Sequence, residues 1–230
     1  MGNMYDNGEY LKNNSTWHEE DSAWKAKNIL GIINRNNIDY ETICEVGCGA
    51  GEILIQLDTL LGSDKNYYGY EVSPDAFNIC KNKSKKNIQF LYKNILEEEV
   101  NYDLVLAIDV FEHVEDYLGF LKKVKTKGEH KIFHIPLDLS VQTVLRSFPL
   151  LRAREKLGHL HYFSKETAIA TLESSGYEII DSCYTKGTIE LPNRDWKKKF
   201  AAIPRNLMYK INADFAVRLL GGFSLLVLAK

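Results

Sequence analysis

Glu45, Gly47, Gly49, Gly51 and Glu71 have the spacing best suited to chemistry in this 230-residue chain. Residues 43–52 read Ile-Cys-Glu-Val-Gly-Cys-Gly-Ala-Gly-Glu, a short apolar run entering glycines at alternate positions. An apolar stretch with helical character, 53–61, follows at once. Glu71 lies twenty residues past Gly51, near the end of a second strand-like run, 67–72. Glycines let a backbone turn sharply and approach a ligand, and a carboxylate at the next strand's tip can accept hydrogen bonds from a ribose diol. The chemistry expected here is recognition of a nucleoside, with Glu45, Gly47, Cys48, Gly49, Gly51, Glu71 and Val72 as its contacts.

A second group of residues could move protons. Imidazole titrates near neutral pH, which makes histidine the usual general base. His134 ends the run Ile132-Phe133-His134-Ile135-Pro136, His113 follows Phe111-Glu112, and His159 and His161 alternate with Leu160. Of these, His134, His161 and His113 are the candidate catalytic bases. His18 lies in a polar N-terminal stretch and would suit a lid or a first-helix cap. Asp109, Glu112 and His113 fall at i, i+3 and i+4, one face of a helical turn, and such a set would suit a divalent cation. Nothing in the sequence says that an acceptor chelates, so the expectation adopted is that no metal is bound.

These residues need a scaffold that brings strand ends together. Apolar strand-like runs near 42–47, 66–72, 88–92, 102–109, 130–135, 177–185 and 223–229 alternate with helical patterns near 20–35, 51–61, 74–82, 115–124 and 164–174. Ser73-Pro74-Asp75 and Ser164 with Thr167 mark helix starts. The alternation predicts an α/β fold, a doubly wound sheet with helices on both faces. Ligands of such sheets sit beyond the carboxyl ends of the strands, where Glu71, Asp109 and His134 fall. The whole chain, 1–230, reads as one domain, with 1–35 as an N-terminal cap or lid. Segments 139–161 and 186–221 fall outside the alternation and are expected to be substrate-side insertions. The first contains Arg146, Arg152, Arg154 and Lys156 among leucines. Those charges would complement an acidic acceptor if turned inward, and would be solvated helix residues if turned outward.

Composition excludes several classes. A net charge of -2 gives no reason to expect a nucleic-acid partner. No apolar run approaches the roughly 20 residues needed to span a bilayer, so no membrane partner is expected. Four scattered cysteines read as thiols in a reducing, cytoplasmic setting. The sequence leaves the oligomeric state open.

The run 43–52 differs from the dinucleotide fingerprint G-x-G-x-x-G in its tighter third glycine and in having Glu45 before the first. It resembles motif I of the class I S-adenosylmethionine-dependent methyltransferases. The resemblance extends over roughly residues 28–230. Residues 104–114, Leu-Val-Leu-Ala-Ile-Asp-Val-Phe-Glu-His-Val, look like that family's fourth-strand motif, and Gly158 to Phe163 with Ser175-Gly176-Tyr177 like its later helix–strand unit. The resemblance implies a seven-stranded sheet, mostly parallel with an antiparallel last strand. It also implies that Ile108 and Asp109 face the methionyl part of the cofactor. Asn94, with Ile95, stands where many relatives carry an adenine-binding aspartate; its amide oxygen can accept the same hydrogen bond. The expected activity is methyl transfer from S-adenosyl-L-methionine to a small-molecule or sugar-like acceptor at oxygen, releasing S-adenosyl-L-homocysteine. Two alternatives stay open, an NAD-dependent oxidoreductase and a non-catalytic nucleoside-binding protein.

Overall fold

The computed structural model describes residue 17 and residues 19–62, 64–191 and 196–230. The expected lid residue His18 and most of the segment before Glu19 lie outside them. In chain order the elements are α1 (Glu19–Arg35), β1 (Thr42–Val46), α2 (Glu52–Leu61), β2 (Asn66–Glu71), α3 (Pro74–Cys80), β3 (Ile88–Tyr92), β4 (Tyr102–Ile108), α4 (Tyr117–Lys125), β5 (Gly128–Pro136), α5 (Val141–Arg146), α6 (Phe148–Arg152), α7 (Lys165–Ser174), β6 (Ile179–Thr185), α8 (Gly187–Glu190), α9 (Trp196–Ile211), α10 (Ala213–Leu220) and β7 (Ser224–Ala229). Every expected strand lies within two residues of its observed bounds.

Seven strands form one sheet in the order β3-β2-β1-β4-β5-β7-β6. β1, β2, β3, β4 and β5 pair in parallel, and β7 inserts antiparallel between β5 and β6. Strands covered on both faces need near-continuous apolar sequence, and residues 104–108 of β4 are all buried. α1, α2 and α3 pack on one face through Ala26, Ile29, Ile32, Leu54, Leu57 and Cys80. α4, α7 and α10 cover the other through Phe120, Leu121, Val124, Ala168, Leu172 and Val217. The lower edge is tied by Asp103, whose carboxylate accepts from the N–H groups of Glu41 and Thr42 and from the Thr42 hydroxyl.

Segment 139–161 folds as α5, α6 and a π-helical turn, Ala153–Leu157. Ser140 and Thr143 form a reciprocal capping box at its start. The described residues of segment 186–221 form α8, α9 and α10. Arg146, Arg152, Arg154 and Lys156 are all exposed.

The β1–α2 turn takes its shape from backbone sterics. Gly47, Gly49 and Gly51 have φ of 65°, 54° and 76°, values that penalise a side chain. At Gly51 space is also lacking, because a Cβ would lie 2.5 Å from the Phe90 ring and 2.9 Å from Cys80. We predict that Gly51→Ala lowers the unfolding free energy by about 3 kcal/mol, combining left-handed strain with overpacking. Urea denaturation checks this, and a loss below about 0.5 kcal/mol, the size of an ordinary surface change, would contradict it.

Candidate functional site

A cavity of about 1410 Å³ lies at the carboxyl edge of the parallel strands. Its walls come from the β1–α2 turn, the tips of β2, β4 and β5, the inner face of α1 and the loop 154–160. Of the residues expected as cofactor contacts, Glu45, Gly47, Cys48, Gly49, Glu71, Val72, Ile108 and Asp109 line it.

Glu71 closes the glycine turn. One carboxylate oxygen accepts from the Gly49 N–H at 2.8 Å, and the other from the N–H groups of Val72 and Ser73 at 2.8 and 2.7 Å. Burial raises its carboxyl above the ordinary value, with the three backbone hydrogen bonds opposing. Glu45 is 2% exposed, and its Oε2 has no hydrogen-bond partner. Burial pushes this carboxyl well up, against the pull of the Lys25 charge.

Lys25 is the first site residue that the sequence reading missed. Its ammonium lies 2.8 Å from Asp109, whose other oxygen is 2.6 Å from His134 Nδ1. The opposite ring nitrogen of His134 is 2.8 Å from the Thr185 hydroxyl. Burial alone would raise the Asp109 carboxyl, but the His134 and Lys25 charges, with their hydrogen bonds, hold it far below the usual range. Asp109 also has a left-handed backbone, φ 55°, which stores about 1 kcal/mol of strain. A signal for Lys25 existed: it adjoins the buried helical stripe Ser22, Ala26, Ile29, Ile32 and Ile33, an unusual place for a lysine.

His113 and His134 line the cavity, while His161 does not. His161 Nε2 lies 2.9 Å from the Val114 carbonyl, and its ring packs 4.3 Å from that of Tyr117. The structure therefore gives it a loop-holding place rather than one facing a substrate. His159 takes the position on the wall instead, its Nδ1 2.6 Å from an Asp138 oxygen. Burial, with repulsion from His159, lowers His113 to about 4. Gly51, Asn94 and Ile95 are also absent from the wall. Gly51 serves helix–sheet packing. Asn94 is spent on a cap, accepting from the Leu96 N–H and donating to Glu97, and Ile95 is core at 1% exposure. Asp109 stands apart from the metal set expected from spacing: Glu112 and His113 gather with His159, not with Asp109.

Residues 13–182, most of the chain, match the methyltransferase-domain family. The chain belongs to that family. Pavine N-methyltransferase of Thalictrum flavum subsp. glaucum is 29% identical over 122 residues, covering 51% of this chain and 34% of the relative. Ubiquinone biosynthesis O-methyltransferase of Rhodopseudomonas palustris is 35% identical over 86 residues, covering 34% of this chain and 32% of the relative. The chain thus spans about a third of the length of these curated relatives. Among solved structures, magnesium protoporphyrin IX methyltransferase from Synechocystis PCC 6803, with bound S-adenosylhomocysteine, superposes with a TM-score of 0.60 at 15% identity. That superposition covers 90% of this chain and 82% of that one. At such identity the likeness establishes the fold, the seven-stranded methyltransferase sheet described above. No helix among the described residues is long and apolar enough to cross a membrane.

The Lys25–Asp109 pair is largely shielded, with side-chain exposures of 15% and 27%. Removing one partner of such a pair leaves an uncompensated charge. In this methyltransferase-domain protein, Lys25→Met should cost about 2 kcal/mol of stability, the buried-pair figure discounted for partial solvent access. The double variant Lys25→Met/Asp109→Asn should recover part of that. Denaturant titration of both variants checks it, and equal stability of Lys25→Met and wild type would contradict it.

Proposed function

We propose that the chain transfers a methyl group from S-adenosyl-L-methionine to a small-molecule acceptor at oxygen, releasing S-adenosyl-L-homocysteine. The observation that carries the reading is the junction of the glycine turn with Glu71 in a cavity that His113, His134 and His159 also line. Glu71 would accept the ribose hydroxyls, exchanging its backbone donors for them. The unpartnered Glu45 oxygen suits the cationic amine of the methionyl group, and Lys25 suits its carboxylate. Asn94 could meet the adenine only by releasing its cap. Bound there, S-adenosylmethionine supplies an already activated sulfonium methyl. The chain's task is then alignment and, for a hydroxyl acceptor, management of one proton.

Both nitrogens of His134 are engaged, so it acts by holding Asp109 rather than by meeting the acceptor. The acceptor end falls to His113 and His159, with Asp138 fixing the tautomer of His159 so that its Nε2 is basic. Arg154 also lines the cavity and would favour an acceptor carrying negative charge. Family membership favours methyl transfer over nicotinamide chemistry. The relatives' names include both an N- and an O-methyltransferase; oxygen is preferred because His113 and His159, which line the cavity, could take a hydroxyl proton. A small-molecule acceptor also agrees with the net charge of -2.

Glu71→Ala should weaken S-adenosylhomocysteine binding at least about tenfold, since two ribose hydroxyls lose a charged acceptor. Titration calorimetry checks this, with circular dichroism to confirm the fold, and unchanged affinity would remove Glu71 from the site. Cofactor binding without methyl transfer across a broad acceptor screen would favour the non-catalytic reading.

A further inference from the structure

Two helical segments at the carboxyl edge of the sheet leave large apolar side chains in water. On α5 and α6, Val141, Val144, Leu145, Phe148 and Leu151 are between 49% and 80% exposed. On α9 and α10, Ile203, Leu207, Ile211 and Phe215 are between 54% and 79% exposed. These are nine of the fourteen exposed large apolar side chains among the described residues, so the exposure is concentrated rather than scattered.

Shared hydrogen bonds gather these helices at one corner. The Leu220 carbonyl, at the end of α10, accepts from Gln142 of α5 at 2.9 Å and from Arg205 of α9 at 3.3 Å. Arg205 also donates to the Gly221 carbonyl at 3.1 Å. Tyr209, one turn after Arg205, stacks on Phe223 with ring centres 5.4 Å apart. Arg205 and Tyr209 therefore mark the inner face of α9. Ile203, Leu207 and Ile211, at i, i+4 and i+8, form a row on the opposite face. An ordinary surface helix carries polar residues there.

The same segments hold an excess of positive charge. Residues 196–220 carry six Lys or Arg against Asp214 alone, and residues 139–157 carry four against Glu155 alone. Together they reach +8, so the rest of the chain carries -10. The net charge of -2 and the lack of a spanning run gave no reason to expect a membrane partner. Neither quantity registers a polarised face that forms on folding. Exposed Arg146, Arg152 and Lys210 adjoin Leu145, Leu151 and Ile211.

Apolar rows edged by cations decide among occupants. Nucleic acid would engage the cations and leave the leucines and isoleucines in water. A second copy of the chain would set like charges against each other. A phospholipid surface uses both features: the apolar side chains enter the acyl boundary and the cations meet headgroup phosphates. Such docking needs no spanning helix, and none is found among the described residues.

We infer that the face formed by α5, α6, α9 and α10 docks on an anionic phospholipid bilayer, lying in its surface without crossing it. Both segments lead into the cavity wall. α6 runs through the π-helical turn into residues 158–160, and α10 runs into residues 222–224, and both stretches line the cavity. A docked chain thus holds its cavity beside the lipid, where an acceptor anchored by an apolar tail could enter. That consequence rests on the methyl-transfer reading; the docking does not.

Tag-free protein should co-sediment with vesicles of equal parts phosphatidylglycerol and phosphatidylcholine. It should bind them at least about tenfold more tightly than vesicles of phosphatidylcholine alone, at about 0.15 M salt. Leu145→Ser/Phe148→Ser/Leu207→Ser should weaken this binding at least about tenfold through lost apolar contact. Arg146→Gln/Arg152→Gln/Lys210→Gln should weaken it by a similar factor, at least about tenfold, through lost charge. Both variants should keep the wild-type affinity for S-adenosylhomocysteine, and either alone suffices if the other fails to fold. No co-sedimentation of the wild type, equal binding to the two vesicle types, or folded variants that bind as tightly as wild type would overturn the docking. A dimer that the apolar variant dissociates, from a protein that ignores vesicles, would overturn it in favour of a second copy. Vesicle binding lost in the variants, from a protein that does not bind S-adenosylhomocysteine, would uphold the docking and remove the methyl-transfer reading.

Discussion

The Glu71 carboxylate is nearly enclosed, and it is held there by three backbone N–H groups, one of them Gly49 from across the β1–α2 turn. A buried anion needs such partners, and here they make the tip of β2 and the glycine turn a single unit. Cys48 donates to the Tyr70 carbonyl and so extends that unit into the sheet. With the turn fixed, Gly51 can sit against Phe90, α2 can approach β1, and Gly47 and Gly49 can present bare backbone to the cavity. In the proposed function the same carboxylate would trade its backbone donors for ribose hydroxyls, so one residue would serve both the turn and the ligand.

From there the cavity divides by charge. Near β1 and β4, Lys25 stands between Glu45 and Asp109, a cation among acids that are costly to bury alone. Beyond β4 and β5, the imidazoles of His113 and His159 join Asp138 and Arg154 on the wall. In the proposed function the first group would meet a zwitterionic methionyl moiety, and the second an acceptor that must lose a proton. α1 contributes to both the core and the site, because the face that buries Ile29 and Ile32 also turns Lys25 inward.

The central strands β1, β4 and β5 were legible as largely apolar runs that stop at Gly47, Asp109 and Pro136, a pattern that survives without any tertiary information. The glycine turn was legible for the same local reason. Asp138 and Thr185 were not, because each acts on a residue far away in sequence and no spacing relates them, and Lys25 was marked only by its place beside a buried helical stripe. Asp109, Glu112 and His113 show how local spacing can mislead: a shared helical face would need a regular turn from Asp109, but the 3-10 turn spans only Phe111–His113, and Asp109 before it points to Lys25 and His134 while Glu112 meets the loop carrying His159. Asn94 and His161 had suitable chemistry, yet both had been claimed by loop geometry, which the sequence alone does not reveal.

The central claim is that the glycine turn and Glu71 hold S-adenosylmethionine with its reactive sulfur turned towards the His113–His159 wall. Electron density from a co-crystal with S-adenosylhomocysteine tests it most directly. The account predicts the ribose on Glu71, the methionyl group between Glu45 and Lys25, and the sulfur facing His113 and His159. A nucleoside bound elsewhere, or a sulfur directed away from those imidazoles, would contradict it.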